Sequence, residues 1–151
     1  STVCAGEYRF SVGTAGSCMP VLQTILPALM LADGESNLIL EGGTHNPFAP
    51  PYEFLKHCYL PLLEKIGFNI ELELKRAGFY PSGGGICKVR VRPTDKSLQS
   101  LEIVQRGNLL TQSIIAVLSG LPESIGERET NTAGRLLAWP QTEHSVKFVD
   151  S

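Results

Sequence analysis

From Glu7 to Val12 the chain alternates, with Tyr8, Phe10 and Val12 on one side, which is the period of a half-buried strand. A small-residue turn, Gly13 to Ser17, leads into residues 17–32, where apolar residues run nearly all round a helical wheel. That pattern predicts a buried helix, with Pro20 in its first turn and Pro27 kinking it or marking an irregular turn. A short apolar strand follows at Asn37–Leu40, then a Gly/Pro-rich loop from Glu41 to Pro51. Leu55, Cys58, Tyr59, Leu62, Leu63 and Ile66 repeat at helical spacing, and Gly67 stands at the C-cap. Phe68 to Leu74 alternates with Asn69, Glu71, Glu73 and Lys75, and Cys87, Val89 and Val91 alternate with Lys88, Arg90 and Arg92.

The predicted order is βαβαββ over residues 7–92, with both helices on one face of the sheet. Strand–helix–strand units imply right-handed crossovers, and the last two strands pair as a hairpin. The fold class is therefore α/β (α+β). Residues 93–100 read as a linker, so we place one domain at 1–96 and the first part of another at 97–151. In the second part, Leu101–Val104 and Leu109–Leu118 look like strands, 123–138 like a helix and Ser145–Val149 like a further strand.

Composition narrows this picture little. A net charge of −2 over 151 residues advertises no general affinity for nucleic acid, so only local charge can argue for it. Cys4, Cys18, Cys58 and Cys87 are scattered, without CxxC or a His partner at metal spacing. A disulfide framework or zinc site is not expected; small apolar thiols in a reducing cytoplasm are. The apolar stretch Val21–Ala32 is too short to span a bilayer, so no membrane association is expected. No signal peptide is predicted. The chain starts without Met and stops in a predicted strand, so a piece of a longer protein is expected.

Three segments carry candidate chemistry. Gly13-Thr14-Ala15-Gly16-Ser17 is either an anion cradle at a helix N-terminus or an ordinary turn capped by Thr14 or Ser17. Glu41 to Pro51 follows a strand, where ligands bind in parallel units. There His45 and Asn46 either meet a ligand or sit in a rigid surface loop, and Phe48 and Pro51 can flank a base. Between residues 75 and 96 lie six of the thirteen basic residues, Lys96 included, and one acid, Asp95. Lys88, Arg90 and Arg92 share one strand face, with Phe79 and Tyr80 in the adjoining turn. They are either RNA-phosphate contacts or a solvated surface.

Ala77-Gly78-Phe79-Tyr80-Pro81-Ser82-Gly83-Gly84-Gly85 resembles the signature of RNA 3'-terminal phosphate cyclases: a basic residue, Gly, two variable residues, Pro, one variable residue and three glycines. Gly13 to Ser17 with Leu22-Gln23-Thr24 is similar to that family's small-residue turn and helix. Gly42-Gly43-Thr44 with Asn46-Pro47 and Ala49-Pro50-Pro51 is similar to its ligand loop. Ala77, Cys87 and His45 depart from the pattern, which often has Arg or His, an aliphatic residue, and Asp at those places.

The resemblance implies repeated βαβαββ units, related to the enolpyruvyl transferases, interrupted by a smaller inserted α/β domain. It implies ATP and a divalent metal (Mg or Mn) as cofactors and RNA 3'-phosphate ends as partner. A histidine takes AMP from ATP, AMP passes to the RNA 3'-phosphate, and the 2'-hydroxyl attacks to give a 2',3'-cyclic phosphate. That histidine is expected beyond Ser151, so no catalytic residue is expected within this chain, which alone would be inactive. Gln23 and Pro51 are the expected ATP/AMP contacts; Thr14, Ser17, His45, Asn46, Lys88, Arg90 and Arg92 are the candidates for phosphate or RNA. The alternative within the resemblance is a non-catalytic, cyclase-like ribosome-assembly factor. A plain RNA-binding module and an enolpyruvyl transferase stand further off.

Overall fold

The computed structural model describes residues 3–94, 98–140 and 143–151. The chain divides into two compact units, Ser1–Glu102 and Ile103–Ser151. The predicted boundary between residues 96 and 97, and Lys96 itself, lie outside the described residues.

The first unit runs β1 (Glu7–Ser11), α1 (Met19–Met30), β2 (Ser36–Gly42), α2 (Tyr52–Phe54), a π-helical turn (Leu55–Tyr59), α3 (Leu60–Ile66), β3 (Asn69–Arg76) and β4 (Gly85–Arg92). The sheet order is β1-β2-β4-β3; β1 and β2 are parallel, and β4 lies antiparallel between β2 and β3. Register sorts the side chains by face. Tyr8, Leu38, Val89 and Leu72 form one row, and Phe10, Leu40, Cys87 and Leu74 the next. These rows join Met19, Leu22, Leu26 and Leu29 of α1, and Leu55 and Leu60, in a single apolar cluster. Both helices therefore cover one face, as the periodicity predicts. The other face carries Glu7, Arg9, Asn37, Lys88, Arg90, Glu71 and Glu73 in the alternate register.

Two helical expectations need correcting. Helix α1 is not buried all round: Thr24, Pro27, Ala28 and Leu31 are exposed, and the helix continues through Pro27 to Met30. In the second helical stretch, Cys58 and Leu62, placed on the buried stripe by the 3.6-residue period, are exposed, and Leu60 is buried instead. The π turn explains this. The Leu60 N–H bonds back five residues to Leu55 O, which shifts the following residues round the axis. Pro61, without an N–H, follows at once. Gly67 closes α3 at φ +116°, the left-handed C-cap expected of it.

All four cysteines are free. Cys18 and Cys87 are buried core residues, whereas Cys4 and Cys58 are exposed. A hydrogen bond with Cys18, together with burial, pushes the Cys87 thiol pKa up, and the same bond lowers that of Cys18.

The second unit is a β-α-β crossover: β5 (Ile114–Leu118), α4 (Glu123–Leu137) and β6 (His144–Phe148), with β5 and β6 parallel. Gly126, Thr130 and Gly134 form the buried face of α4, every fourth residue. A Cβ on Gly126 would lie 2.8 Å from Val146 Cγ1, and one on Gly134 would lie 2.1 Å from His144 Cε1, so helix and strand touch where side chains are missing. The strand expected at Leu101–Val104 does not form, and that expected at Leu109–Leu118 begins only at Ile114. Residues 114–118 have a strand partner in β6; 98–113 have no strand partner among the described residues, and without a ladder an apolar run is no strand. No described helix is long and apolar enough to cross a membrane.

Candidate functional site

Because β1 and β2 are parallel and β4 antiparallel, the ends of β1, β2 and β3 and the start of β4 share one edge of the sheet. The three small-residue segments, 13–17, 42–51 and 77–85, all emerge there. Backbone bonds interlock them. Gly43 N donates to Gly16 O at 2.8 Å, and Cys18 N to Gly43 O at 2.9 Å. Thr44 N and His45 N both donate to Gly78 O, at 2.8 and 3.1 Å. Glycine is what allows this approach. A Cβ on Gly78 would lie 2.5 Å from Gly42 O and 2.5 Å from Gly85 N; one on Gly83 would lie 2.7 Å from Ala15 Cα.

Thr44, fully buried, ties the second and third segments: its Oγ1 accepts the Gly78 N–H at 2.9 Å and lies 2.7 Å from His45 Nδ1. His45 Nε2 meets Glu53 Oε2 at 2.9 Å, which requires the proton on Nε2. The His45 ring also stacks on Phe79, centroids 4.8 Å apart. Both ring nitrogens are thus engaged inside the chain, and His45 acts here as a brace between loop and helix. Asn46 behaves similarly: Nδ2 donates to Ala15 O at 2.6 Å, and Oδ1 is sealed against Gly43 without a hydrogen-bond partner among the described residues.

Two open clefts flank the 14–15 wall. One, about 530 Å3, is polar; Ser11, Gly13, Thr14, Arg76, Ser82 and Gly84 line it, with Glu41 at its side. Arg76 Nε donates to Gly84 O at 2.6 Å, which fixes the guanidinium there. The other, about 600 Å3, lies between Thr14–Gly16, Asn46, Pro47, Phe48 and Tyr80. Thr14 Oγ1 accepts from Gly16 N at 3.1 Å, and Ser17 Oγ from Met19 N at 3.3 Å. Cys18, at the N-cap, offers no side-chain cap, so Ser17 caps α1 from one residue earlier.

The structure therefore brings Thr14 and Asn46 to one cleft, while Ser17 and His45, in the same interlocked segments, line neither cleft. Pro51 opens the helix that leaves the same loop, with Tyr52 N bonded to Thr44 O at 3.0 Å. Gln23 lies one turn into α1, half-buried, and its amide has no hydrogen-bond partner among the described residues. Lys88, Arg90 and Arg92 are elsewhere, on the outer sheet face. Arg92 meets Glu71 at 2.7 Å and Glu35 at 3.6 Å, while Arg90 lies 3.7 and 3.8 Å from Glu35 and Glu71. Sequence reasoning missed Glu53 and the role of Arg76. Glu53, eight residues past His45 in the first turn of a helix, carries no signal of its own; Arg76 sits one residue ahead of the signature's basic position.

The family model for RNA 3'-terminal phosphate cyclase matches residues 1–150. The chain is 46% identical over 145 residues to an RNA 3'-terminal phosphate cyclase of Pseudomonas aeruginosa, covering 96% of the chain and 42% of that protein. It is 49% identical over 135 residues to the one from Koribacter versatilis (89% and 38%) and 45% over 136 to that of Ectopseudomonas mendocina (90% and 39%). The chain thus spans about two-fifths of the length of these relatives. With a match that takes in both units and all three glycine segments, the chain belongs to the RNA 3'-terminal phosphate cyclase family.

Proposed function

We propose that this chain supplies the nucleotide- and phosphate-facing edge of an enzyme of the ligase class that converts RNA 3'-terminal phosphates to 2',3'-cyclic phosphates at the expense of ATP. A phosphate monoester is a poor electrophile until AMP becomes its leaving group, which is why such a reaction passes through enzyme-AMP and RNA-adenylate. The observation that carries the reading is the interlock of the three glycine segments beside a polar cleft holding Arg76. The Thr14 hydroxyl, which lines that cleft, keeps a proton to donate to a phosphate oxygen, and the Arg76 guanidinium supplies charge. Gln23 and Pro51 are the proposed adenosine contacts. Pro51 offers a flat surface whose ring costs little to order, and Gln23 an unspent amide.

None of His45, His57 and His144 lines either cleft, so this chain alone is expected not to take AMP covalently. Among the described residues no three His, Cys, Asp or Glu side chains cluster; a divalent ion that arrives with a nucleotide takes one or two carboxylates and the phosphate oxygens, and Glu41 is the carboxylate that lines the polar cleft. Residues 103–151 fit the start of the inserted domain, and the free thiols suit a cytoplasmic protein.

In the full-length protein, Gln23→Ala should raise the ATP concentration needed for adenylylation about tenfold, the equivalent of ~1.4 kcal/mol, with little change in thermal midpoint. An unchanged ATP dependence with a lowered midpoint would make Gln23 a structural residue. Full-length protein that takes no AMP at all would favour the assembly-factor reading.

A further inference from the structure

Phe48 and Tyr80 are the unexplained side chains of the glycine edge. Phe48 is wholly exposed and its φ is +62°, the left-handed region that a bulky residue rarely enters. Tyr80 is 71% exposed. An exposed aromatic on a strained backbone gains nothing from the fold, and such strain gathers where a ligand is clamped. Neither ring sits on a loose support. The Phe48 loop is tied down two residues earlier by Asn46 Nδ2 on Ala15 O. Tyr80 follows Phe79, which stacks on His45 and whose carbonyl takes the Gly83 N–H at 2.7 Å.

The two rings flank the apolar cleft, with Pro47 beside them. The wall that closes it, Thr14–Ala15, is also a wall of the polar cleft that holds Arg76. Among the described residues the Arg76 guanidinium makes no ion pair, and its one hydrogen bond leaves further N–H donors for an anion. A flat apolar slot and a cationic slot separated by two residues match a ligand with a planar ring next to a phosphate. Successive nucleotides of a single strand have that form, and stacking on aromatics beside a basic groove is how single strands are held. The geometry points to a nucleobase platform: Phe48 and Tyr80 stack a base of the RNA strand close to its 3' end, while Arg76 and Thr14 meet the adjoining phosphate. This rests on the reading of the edge as the place where RNA 3'-phosphates are handled, and it adds a subsite distinct from Gln23 and Pro51.

The test uses full-length protein and a short single-stranded RNA bearing a 3'-phosphate, with 2-aminopurine near that end. Binding should quench the 2-aminopurine. Phe48→Ala and Tyr80→Ala should each weaken binding about tenfold, within the range for losing one base–aromatic stack, and relieve the quench. Phe48→Tyr should restore both. Because stacking is not ionic, the fold-loss should hold from low to high salt. Unchanged affinity and quench in both alanine variants, or a loss that Phe48→Tyr does not repair, overturns the platform. Adenylylation of the unchanged protein by ATP is measured alongside. Its absence sinks the cyclase reading by itself, while the quench still decides the platform.

Discussion

The glycine edge and the outer face of the same sheet are both candidate places for phosphate, and they are built on opposite principles. At the edge the contacts are backbone to backbone: Gly43 to Gly16, Cys18 to Gly43, Thr44 and His45 to Gly78. On the outer face the contacts are charge to charge: Arg90 and Arg92 against Glu35 and Glu71, Arg9 against Glu41 at 2.5 Å. A glycine in a sequence reports missing atoms, and a missing atom has a fixed structural use wherever two chains must touch. A basic residue reports only half of an interaction. Its partner on a neighbouring strand comes from register, and register brings Glu71 beside Arg90, and Glu73 beside Lys88. The edge is therefore held by its backbone and leaves the rest of the Arg76 guanidinium without an ion pair among the described residues, whereas the face spends its charge on itself.

The sharpest way to break this comparison is to put atoms into the interlock. Gly78→Ala would set a methyl 2.5 Å from Gly42 O and Gly85 N, backbone atoms that no rotamer change can move aside. A loss of about 3 kcal/mol or more is expected, the upper part of the overpacking range, read as a lowered urea midpoint. Gly13→Ala is the control: Gly13 has φ +71° and open space around it, so only left-handed strain of ~1–2 kcal/mol applies. Equal costs at the two positions would mean that close approach is not what holds the edge.

A smaller effect is expected from the hydroxyl that joins the segments. Thr44→Val keeps the shape but leaves the buried Gly78 N–H without its acceptor and His45 Nδ1 without its neighbour. The cost of an unsatisfied buried donor is about 1–3 kcal/mol. Thr44→Ser keeps the hydroxyl and should lose distinctly less. If serine and valine are equally destabilising, the methyl group and not the hydrogen bond carries the position.

Much of the edge is legible in the amino-acid sequence because its information is local. Strand ends, loop order and glycine spacing place three segments at one edge once the parallel β1–β2 pair is accepted. Their interlock is not legible, since hydrogen bonds such as Gly43 to Gly16 join residues 27 positions apart. His45 shows the same gap. Its type suggests a ligand contact, but Glu53 and Thr44 claim it through a helix whose first turn faces the loop. The π turn is invisible to a helical wheel because a five-residue step obeys no period, so Cys58 and Leu62 fall on the wrong side. In the second unit the buried face of α4 is Gly126, Thr130 and Gly134, which no hydrophobic pattern would select.

The smallest effect is expected on the charged face, and it decides whether that face belongs to the site after all. Replacing Lys88, Arg90 and Arg92 by Gln removes four ion-pair contacts with Glu35 and Glu71. Exposed pairs contribute about 0–1 kcal/mol each, so a shift of at most a few degrees in thermal midpoint is expected. Were these residues bound to RNA phosphates, each would release counterions on binding, and the slope of log affinity against log salt would flatten by roughly 0.7 for every phosphate no longer neutralised. Against that stands competition: a phosphate must displace Glu71 from Arg92 at 2.7 Å and then sit among Glu35, Glu71 and Glu73. The expected result in the full-length protein is therefore a salt slope that moves by less than the value for one phosphate, ~0.7, while Arg76→Gln, at the edge, flattens it by about that much. A slope lowered by about two in the triple variant would return Lys88, Arg90 and Arg92 to the RNA-binding surface. It would also show that the acids on neighbouring strands hold those side chains in place for RNA instead of neutralising them.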